Sequence, residues 1–152
     1  ADYMYFELKA EMIGIEKFAE IIEEYKKKRK AEVNAKQFVE AWNGTVIPPN
    51  STSSGKDYIY FATVSDNASP GGSASHGVCP PARAMREAVL AEGFAMPVGM
   101  TSDEDAVLYG YNPASGIYVT NTHDYPIKIN MWTEGSGTAM GIYCQIIRYI
   151  PN

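Results

Sequence analysis

Residues 8–42 read LKAEMIGIEKFAEIIEEYKKKRKAEVNAKQFVEAW, and this stretch decides the fold. It contains no proline, and its one glycine is Gly14. Apolar side chains recur in steps of three and four residues, which places them on one face of a helix. They are Leu8, Met12, Ile15, Phe18, Ala19, Ile22 and Tyr25. We therefore predict one long N-terminal helix over residues 1–43, which Asn43-Gly44 terminates.

The predicted helix has a charged side as well as an apolar one. Glu23 and Lys27 lie four residues apart with the acid first, the favourable order for an exposed pair. The basic run at residues 26–30 follows these acids, and we interpret it as a solvated helix face rather than a phosphate site. Because such a helix cannot bury its apolar stripe alone, the rest of the chain must pack on it.

The composition of the whole chain is that of one globular domain, with 152 residues, 45% hydrophobic and 20% charged. Thirteen basic and eighteen acidic residues give a net charge of −5, which argues against a nucleic-acid partner. No hydrophobic run approaches the ~18 residues of a membrane span. Since the chain does not begin with Met and has no signal-peptide pattern, we expect a processed or trimmed product.

The middle of the chain alternates polar loops with regular elements. We predict a loop over residues 44–56, which hold Pro48-Pro49 and a Ser/Thr/Gly cluster. Residues 57–64, DYIYFATV, have the aromatic and β-branched composition of a strand. A second irregular loop covers residues 65–77. A short helix over residues 80–93 follows, because proline is tolerated in a first turn and Gly93 can end it.

The C-terminal third is predicted to be an antiparallel meander of short strands at residues 107–111, 116–121, 127–133 and 140–150. Ile127, Ile129 and Met131 alternate with polar residues, as a sheet with one buried face requires. The predicted fold class is α+β. In this single domain, residues 1–152, a long N-terminal helix packs on an antiparallel sheet of about four to five strands, with one further short helix.

Two cysteines, Cys79 and Cys144, are too far apart in the sequence for a metal-binding motif. They are either two buried thiols or one long-range disulfide. We expect the disulfide, because the tyrosines and polar loops resemble a secreted composition. It would add about 4 kcal/mol in the loop-entropy account. Three Asn-x-Ser/Thr triplets in predicted loops are potential glycosylation sites, at Asn43, Asn50 and Asn67.

The sharpest catalytic hypothesis is a small thiol hydrolase in which Cys79 is the nucleophile and His76 or His123 the base, oriented by Asp124. Two prolines follow Cys79, no known nucleophile signature surrounds it, and a second cysteine is available to pair with it. A structural role for Cys79 is therefore the better interpretation.

The sequence also gives little support for a metal or cofactor site. The acidic run at residues 103–105 could offer oxygen ligands to Ca²⁺, but it lacks the alternating spacing and glycine of an EF-hand loop. An ordinary solvated turn fits it better. We predict no catalytic, metal or cofactor-binding residue and no cofactor.

The order of elements resembles the extracellular part of a type IV pilin or pilin-like protein. The helix of residues 6–42, the loop of residues 44–56 and the pair Cys79 and Cys144 carry this resemblance. A cysteine ahead of a short helix is most similar to the type IVb branch. The resemblance spans nearly the whole chain, as an order of elements, without the family's hydrophobic N-terminal stretch and early glutamate.

The resemblance implies a structural subunit of an extracellular filament or surface appendage rather than an enzyme. Its partners would be further copies or other pilin-like subunits, with adhesion to a host or surface ligand as a further role. It would lie outside the cell or at its surface, and in the periplasm during assembly. The alternative is a secreted or cell-surface module that binds a ligand through tyrosine-rich loops.

Overall fold

A computed structural model describes residues 15–152 of the chain. Its first element is helix α1, Ile15–Trp42, which confirms the long helix within the described residues. The part predicted over residues 1–14 lies outside them. The helix ends where expected, since Gly44 has a φ of 84° in the left-handed region that glycine favours. Over residues 16–42 of α1 the buried side chains lie in the last turns: Asn34, Ala35, Phe38, Ala41 and Trp42.

Within residues 15–152, seven strands form three antiparallel sheets. The strands are β1 (Thr45–Ile47), β2 (Ser51–Ser54), β3 (Val64–Ser65), β4 (Ser73–Ala74), β5 (Tyr118–Asn121), β6 (Ile127–Glu134) and β7 (Gly141–Arg148). The largest sheet has the order β1-β6-β7, and the others are the pairs β2-β5 and β3-β4. The α+β class is confirmed, but the strands are divided among three small sheets instead of one sheet of four to five.

The second helix, α2, spans Cys79–Ala91 and confirms the helix expected at residues 80–93 with slightly different ends. It packs against β7, while α1 packs against β6, so both helices cover the same face of the largest sheet. The core lies between them. Its largest apolar side chains are Trp42, Phe38, Ile47, Met85, Ile117, Ile127, Ile129 and Met131.

The β6–β7 hairpin confirms the last two predicted strands and their buried face. Ile127, Ile129 and Met131 are buried, and across the register Ile146 faces Ile129 and Cys144 faces Met131. Both β7 residues pack against the core. A single turn of 3-10 helix, Gly137–Ala139, connects the two strands. Alternation alone was enough to predict this hairpin, because each of its strands has one buried and one solvent face.

The predicted loop at residues 44–56 was wrong, since it contains β1 and β2. β1 leaves α1 directly and pairs with β6, with Thr45 opposite Ile129. β2 has the sequence STSS and pairs with β5, where the hydroxyls of Thr52 and Thr120 lie 2.8 Å apart. Its serines and threonines resemble a linker in sequence, and only the pairing with β5 makes them a strand.

The predicted strand at residues 57–64 was also wrong, except for Val64 in β3. Its neighbour is helix α1 rather than another strand. The side chain of Asn34 accepts from the Ala62 N–H (2.8 Å) and donates to the Ala62 carbonyl (2.7 Å), and Gln37 donates to the Tyr60 carbonyl (3.3 Å). Side-chain amides therefore take the place of a neighbouring strand.

Two other predictions need correction. Residues 107–111 form no strand: Val107 makes one isolated bridge with Met100, and positive φ angles at Ala106 (58°) and Gly110 (88°) turn the chain on either side. The loop predicted at residues 65–77 contains strand β4 and a 3-10 turn, Pro70–Gly72, so it is a small hairpin rather than an irregular segment.

Replacement of Asn34 by Ala should lower the free energy of unfolding by about 2–4 kcal/mol. The Asn34 side chain is only 1% exposed and also donates to the His76 carbonyl (2.8 Å), so its loss leaves three backbone groups without a partner. Urea denaturation measures the effect. Gln37→Ala is the matched control, because it removes one exposed hydrogen bond to the same segment and should cost less than about 1 kcal/mol. Equal losses in the two variants would contradict this role of Asn34.

Candidate association surface

The face of the β1-β6-β7 sheet that is turned away from the helices carries exposed apolar side chains. Trp132 of β6 and Tyr143 of β7 lie opposite each other and stack with their ring centroids 5.5 Å apart and an interplanar angle of 17°. Val46 of β1 is exposed on the same face. Exposed aromatic pairs are common at protein interfaces because they add contact area with few rotatable bonds.

Tyrosines are exposed over much of the described surface. They are Tyr58, Tyr60, Tyr109, Tyr111, Tyr118, Tyr143 and Tyr149. The prediction that some of the strand tyrosines remain outside the core therefore holds for Tyr118 and Tyr143. The others lie in segments that form no strand.

One edge of strand β7 has no neighbouring strand among the described residues. The Tyr149 N–H donates to the Pro126 carbonyl (3.0 Å). In the register of β6 and β7, this bond shows which residues of β7 direct their backbone groups towards β6. Bonding alternates along an antiparallel strand. The backbone groups of Ile142, Cys144 and Ile146 therefore point away from β6, towards the open edge. This edge is a surface to which another extended chain could add.

The segment of residues 57–63 also carries exposed side chains. Its side chains alternate, since Ile59 is buried and Phe61 half-buried, whereas Tyr58 and Tyr60 are 62% and 80% exposed. Alternation of this sort is typical of an extended chain, but here it follows a turn at Asp57 and Tyr58. The bonds from α1 engage the backbone of Tyr60 and Ala62.

The first half of α1 differs from its second half. None of residues 16–33 is buried, although Ile21 and Ile22 are apolar and half-buried. The groove beside Ile21 is lined by side chains of α1 itself, among them Glu24 and Lys28. Among the described residues the core thus covers only the C-terminal turns of α1, from Asn34 onwards.

The expected disulfide is absent, because Cys79 and Cys144 are both free thiols. The Cys79 thiol donates to the Asp105 carbonyl at 2.9 Å. Burial raises the pKa of Cys79, the negative charge of Asp105 raises it further, and Arg83 opposes the shift. Burial raises the pKa of Cys144 to about 12. Both groups are therefore protonated thiols at neutral pH, and neither is an activated nucleophile.

Neither histidine is hydrogen-bonded to Cys79. His76 Nε2 lies 3.0 Å from Asp66 Oδ2, and Ser69 also donates to Asp66. The N–H of Ala68 is the main cause that lowers the pKa of the Asp66 carboxyl. This arrangement closes the loop between β3 and β4, and it does not form the cysteine–histidine pair of the thiol hydrolase hypothesis.

His123 belongs to a half-buried cluster with Glu92 and Arg148. Its Nε2 lies 3.0 Å from Glu92 Oε2, and Arg148 Nε donates to both Glu92 oxygens at 3.0 and 3.3 Å. Its ring lies between those of Phe94 and Tyr125, with centroids 4.9 and 4.7 Å away. The cluster joins the end of α2 to the β5–β6 turn and the end of β7. Asp124, the expected orienting group, bonds Asn50 instead.

Two arginines of α2 hold the acidic turn through its backbone. Arg86 Nη1 donates to the Thr101 carbonyl (2.6 Å) and the Asp103 carbonyl (2.7 Å), and Arg83 Nη1 donates to the Glu104 carbonyl (2.7 Å). The guanidinium groups thus contact the carbonyls that a cation in this turn would use. Within residues 15–152, no three His, Cys, Asp or Glu side chains are grouped so that they could hold a metal ion.

The three potential glycosylation sites are all exposed. Asn43 already uses its side-chain oxygen to accept the Met131 N–H (2.9 Å), and Asn50 has a positive φ of 50° in the turn before β2. Asn67 lies in the turn after Asp66. Attachment of a glycan at any of the three stays a prediction.

Sequence reasoning missed the buried polar residues that organise these surfaces. Asn121 is fully buried, and its side chain donates to the carbonyls of Ile47, Pro48 and Tyr125. Asn34 has the corresponding role on α1. The available signal was an asparagine at an otherwise apolar position, because asparagine is a poor former of helix interiors and strands unless its amide has partners.

Comparisons with protein-family profiles, with curated proteins and with solved structures found no match to this chain. Within the described residues, no helix has the length and apolar character needed to cross a bilayer.

The two cysteines should titrate as two free thiols per chain with Ellman's reagent after unfolding without a reducing agent. In the folded protein Cys144 should react much more slowly than Cys79, because burial raises its pKa to about 12. Variants Cys79→Ser and Cys144→Ser assign each phase. A titre of zero in the denatured wild-type protein would show that the disulfide forms.

The Glu92 cluster should make stability depend on pH below the ordinary carboxyl value of 4.5. Burial alone would raise the pKa of Glu92, but the hydrogen bonds from Arg148 and His123 bring it below that value. A lowered folded-state pKa stabilises the fold above pH 4.5, and this contribution is lost as pH falls through the folded pKa. Urea denaturation between pH 3 and 7 should show a smaller fall for Glu92→Gln than for wild type. The exposed Glu24→Gln is the control, and identical profiles for wild type and Glu92→Gln would refute the assignment.

Proposed function

We propose that this chain is a structural subunit of an extracellular filament or surface appendage, with a pilin-like arrangement, and that it works by association between subunits. The observation that carries the proposal is the division of α1. Its last turns anchor the sheet, whereas residues 16–33 contain no buried side chain. A helix that is anchored at one end, and of which the described residues bury no side chain over residues 16–33, can pack its half-buried apolar positions against the helices of neighbouring subunits.

The arrangement of reactive groups supports a structural role. The thiol of Cys79 donates to a backbone carbonyl, and the two histidines bind carboxylates at other places. Arg86, the buried cation of α2, holds the backbone of a turn. Each of these groups stabilises the fold, and the described residues do not combine them around a shared cavity.

The proposed partners are further copies of this chain or other pilin-like subunits, and a host or surface ligand where the appendage adheres. The proposed location is outside the cell or at its surface, with passage through the periplasm. The free thiols remove the disulfide from the arguments for this location. The remaining arguments are the exposed tyrosines and the polar loops.

Replacement of Ile22 by Gln should weaken self-association about tenfold and leave the urea midpoint unchanged. Ile22 lies in the part of α1 that the core does not cover, and glutamine keeps helix propensity while removing apolar contact. Sedimentation velocity over a range of protein concentrations, with electron microscopy of the assemblies, measures the change. Glu24→Gln, on the same exposed half, is the matched control. A wild-type chain that stays monomeric at millimolar concentration would rule out the proposed function.

A second candidate function is ligand binding through exposed tyrosines. Tyr109 and Tyr111 favour it, because both are exposed in the irregular segment between α2 and β5. A glycan or protein array tests this function. Saturable binding that disappears in Tyr109→Ala and persists in the monomeric protein would support it over the filament proposal.

A further inference from the structure

Five charged side chains of α1 follow one another in alternating steps of four and three residues. They are Glu16, Glu20, Glu23, Lys27 and Lys30, and all of them are exposed. Steps of this kind place the five on one side of the helix, and we call this row the charged seam. The seam is acidic in its N-terminal part and basic in its C-terminal part, and the sign changes between Glu23 and Lys27.

The charged seam continues the side of α1 that the core covers further along the helix. The next steps of the same spacing reach Asn34, Phe38 and Ala41, which are all buried. The apolar positions Phe18 and Ile22 lie on the opposite side of the helix, because they are out of step with the seam. The seam is therefore a helix face on the same side as the body of the subunit, at a level that its core does not reach.

The charges of the seam are available to a partner. Among the described residues, Lys27 and Lys30 take part in no ion pair. Glu20 and Glu23 each contact one lysine of α1 through a single oxygen, at 3.4 and 3.7 Å, and their side chains remain 70% and 67% exposed. Each carboxylate thus keeps a second oxygen for another cation.

We propose that a second copy of this chain docks on the charged seam with its α1 antiparallel to the first, so that the acidic part of each seam lies opposite the basic part of the other. This inference rests on the proposed function and identifies one contact by which subunits would join. Complementary charges across an interface set the orientation and register of the partners more than they add affinity.

One antiparallel register pairs opposite charges along the seam. When the helix pair is centred on residue 25, Glu20 lies opposite Lys30 of the second copy, and Glu23 lies opposite its Lys27. The twofold axis repeats both contacts. A shift of four residues in one direction places Glu23 opposite its own copy, and the same shift in the other direction does so for Lys27. Like charges facing each other disfavour both shifted registers.

The uncovered length of α1 selects the same register independently of charge. Residues 16–33 contain no buried side chain, and the midpoint of this range also falls beside residue 25. In the centred register, residue 16 of one copy lies opposite Asn34 of the other, where the buried turns begin. The two uncovered halves therefore overlap along about 27 Å of helix, and the bodies of the two copies lie at opposite ends of the pair.

The proposed contact is isologous, because both copies use the same seam, and it closes as a dimer. Growth into a filament requires a second and different contact. The opposite side of α1, with the half-buried side chains of Phe18 and Ile22, remains outside the proposed dimer contact. The dimer would then be the unit from which the appendage is built.

Reversal of half of the seam tests the contact in the full chain. Glu20→Lys with Glu23→Lys makes the central turns of the seam basic, and Lys27→Glu with Lys30→Glu makes them acidic. Each double variant alone should self-associate at least about tenfold more weakly than wild type, because like charges then face each other. An equimolar mixture of the two should recover the wild-type affinity, since each supplies the charges that the other lacks.

Distances between spin labels test the orientation. A label is attached to Lys17→Cys or to Lys28→Cys in the chain that also carries Cys79→Ser and Cys144→Ser. In the centred antiparallel dimer, the two labels should lie about 24 Å apart along the helix axis at position 17 and about 9 Å apart at position 28. Equal separations at the two positions would show a parallel pair and overturn the proposal.

Lys28→Glu with Arg29→Glu is the matched control, because it makes the same change of charge in the same basic run at two exposed positions outside the seam. It should keep the wild-type affinity in sedimentation velocity, and urea midpoints equal to wild type establish that each variant is folded. If wild type associates and the seam variants associate equally well, alone or mixed, the seam contact is wrong and the proposed function stands. If wild type does not associate at any concentration, both fail.

Discussion

The attachment of the end of α1 to strand β6 is the constraint on which the rest of the structure depends. Trp42 is fully buried, and its indole N–H donates to the Pro113 carbonyl at 3.0 Å. Immediately after it, the Asn43 side chain accepts the Met131 N–H, and the Gly44 N–H donates to the Ile129 carbonyl. These bonds direct the chain from the helix into β1, already in register with β6. The anchor lies at one end of a 28-residue helix, and the described residues bury no side chain over residues 16–33.

The elements that could be predicted are those whose signal is local. The spacing of apolar residues and the Asn43-Gly44 stop predicted α1, and simple alternation predicted β6 and β7 with the correct buried face. The prediction of a strand at residues 57–63 failed for a non-local reason. Side-chain amides of α1, rather than a neighbouring strand, bond the backbone of this segment. The prediction for strand β2 failed in the opposite way, because only the antiparallel pairing with β5, which includes the contact of Thr52 with Thr120, distinguishes STSS from a linker.

The reactive residues were identified in the sequence, but their surroundings were not. The disulfide was inferred from composition. Composition does not show that Cys79, at the start of α2, donates its thiol to the Asp105 carbonyl. The sequence likewise contains an acidic turn, but not the two arginines that approach it through its carbonyls. In both cases the deciding partner is a backbone group whose position depends on the whole fold. The association surface was predicted only in outline, as tyrosines left outside a sheet.

The bonding of Asn34 and Gln37 to the backbone of Tyr60 and Ala62 fixes a segment that carries exposed tyrosines. A segment that was free in solution would lose much of its conformational entropy when a partner bound it. Here α1 has already restricted the segment during folding, so that cost belongs to the fold and not to the association. A polar residue in the last turns of α1, which contributes nothing to the apolar core, thereby fixes the position of an exposed segment that the core alone would not hold.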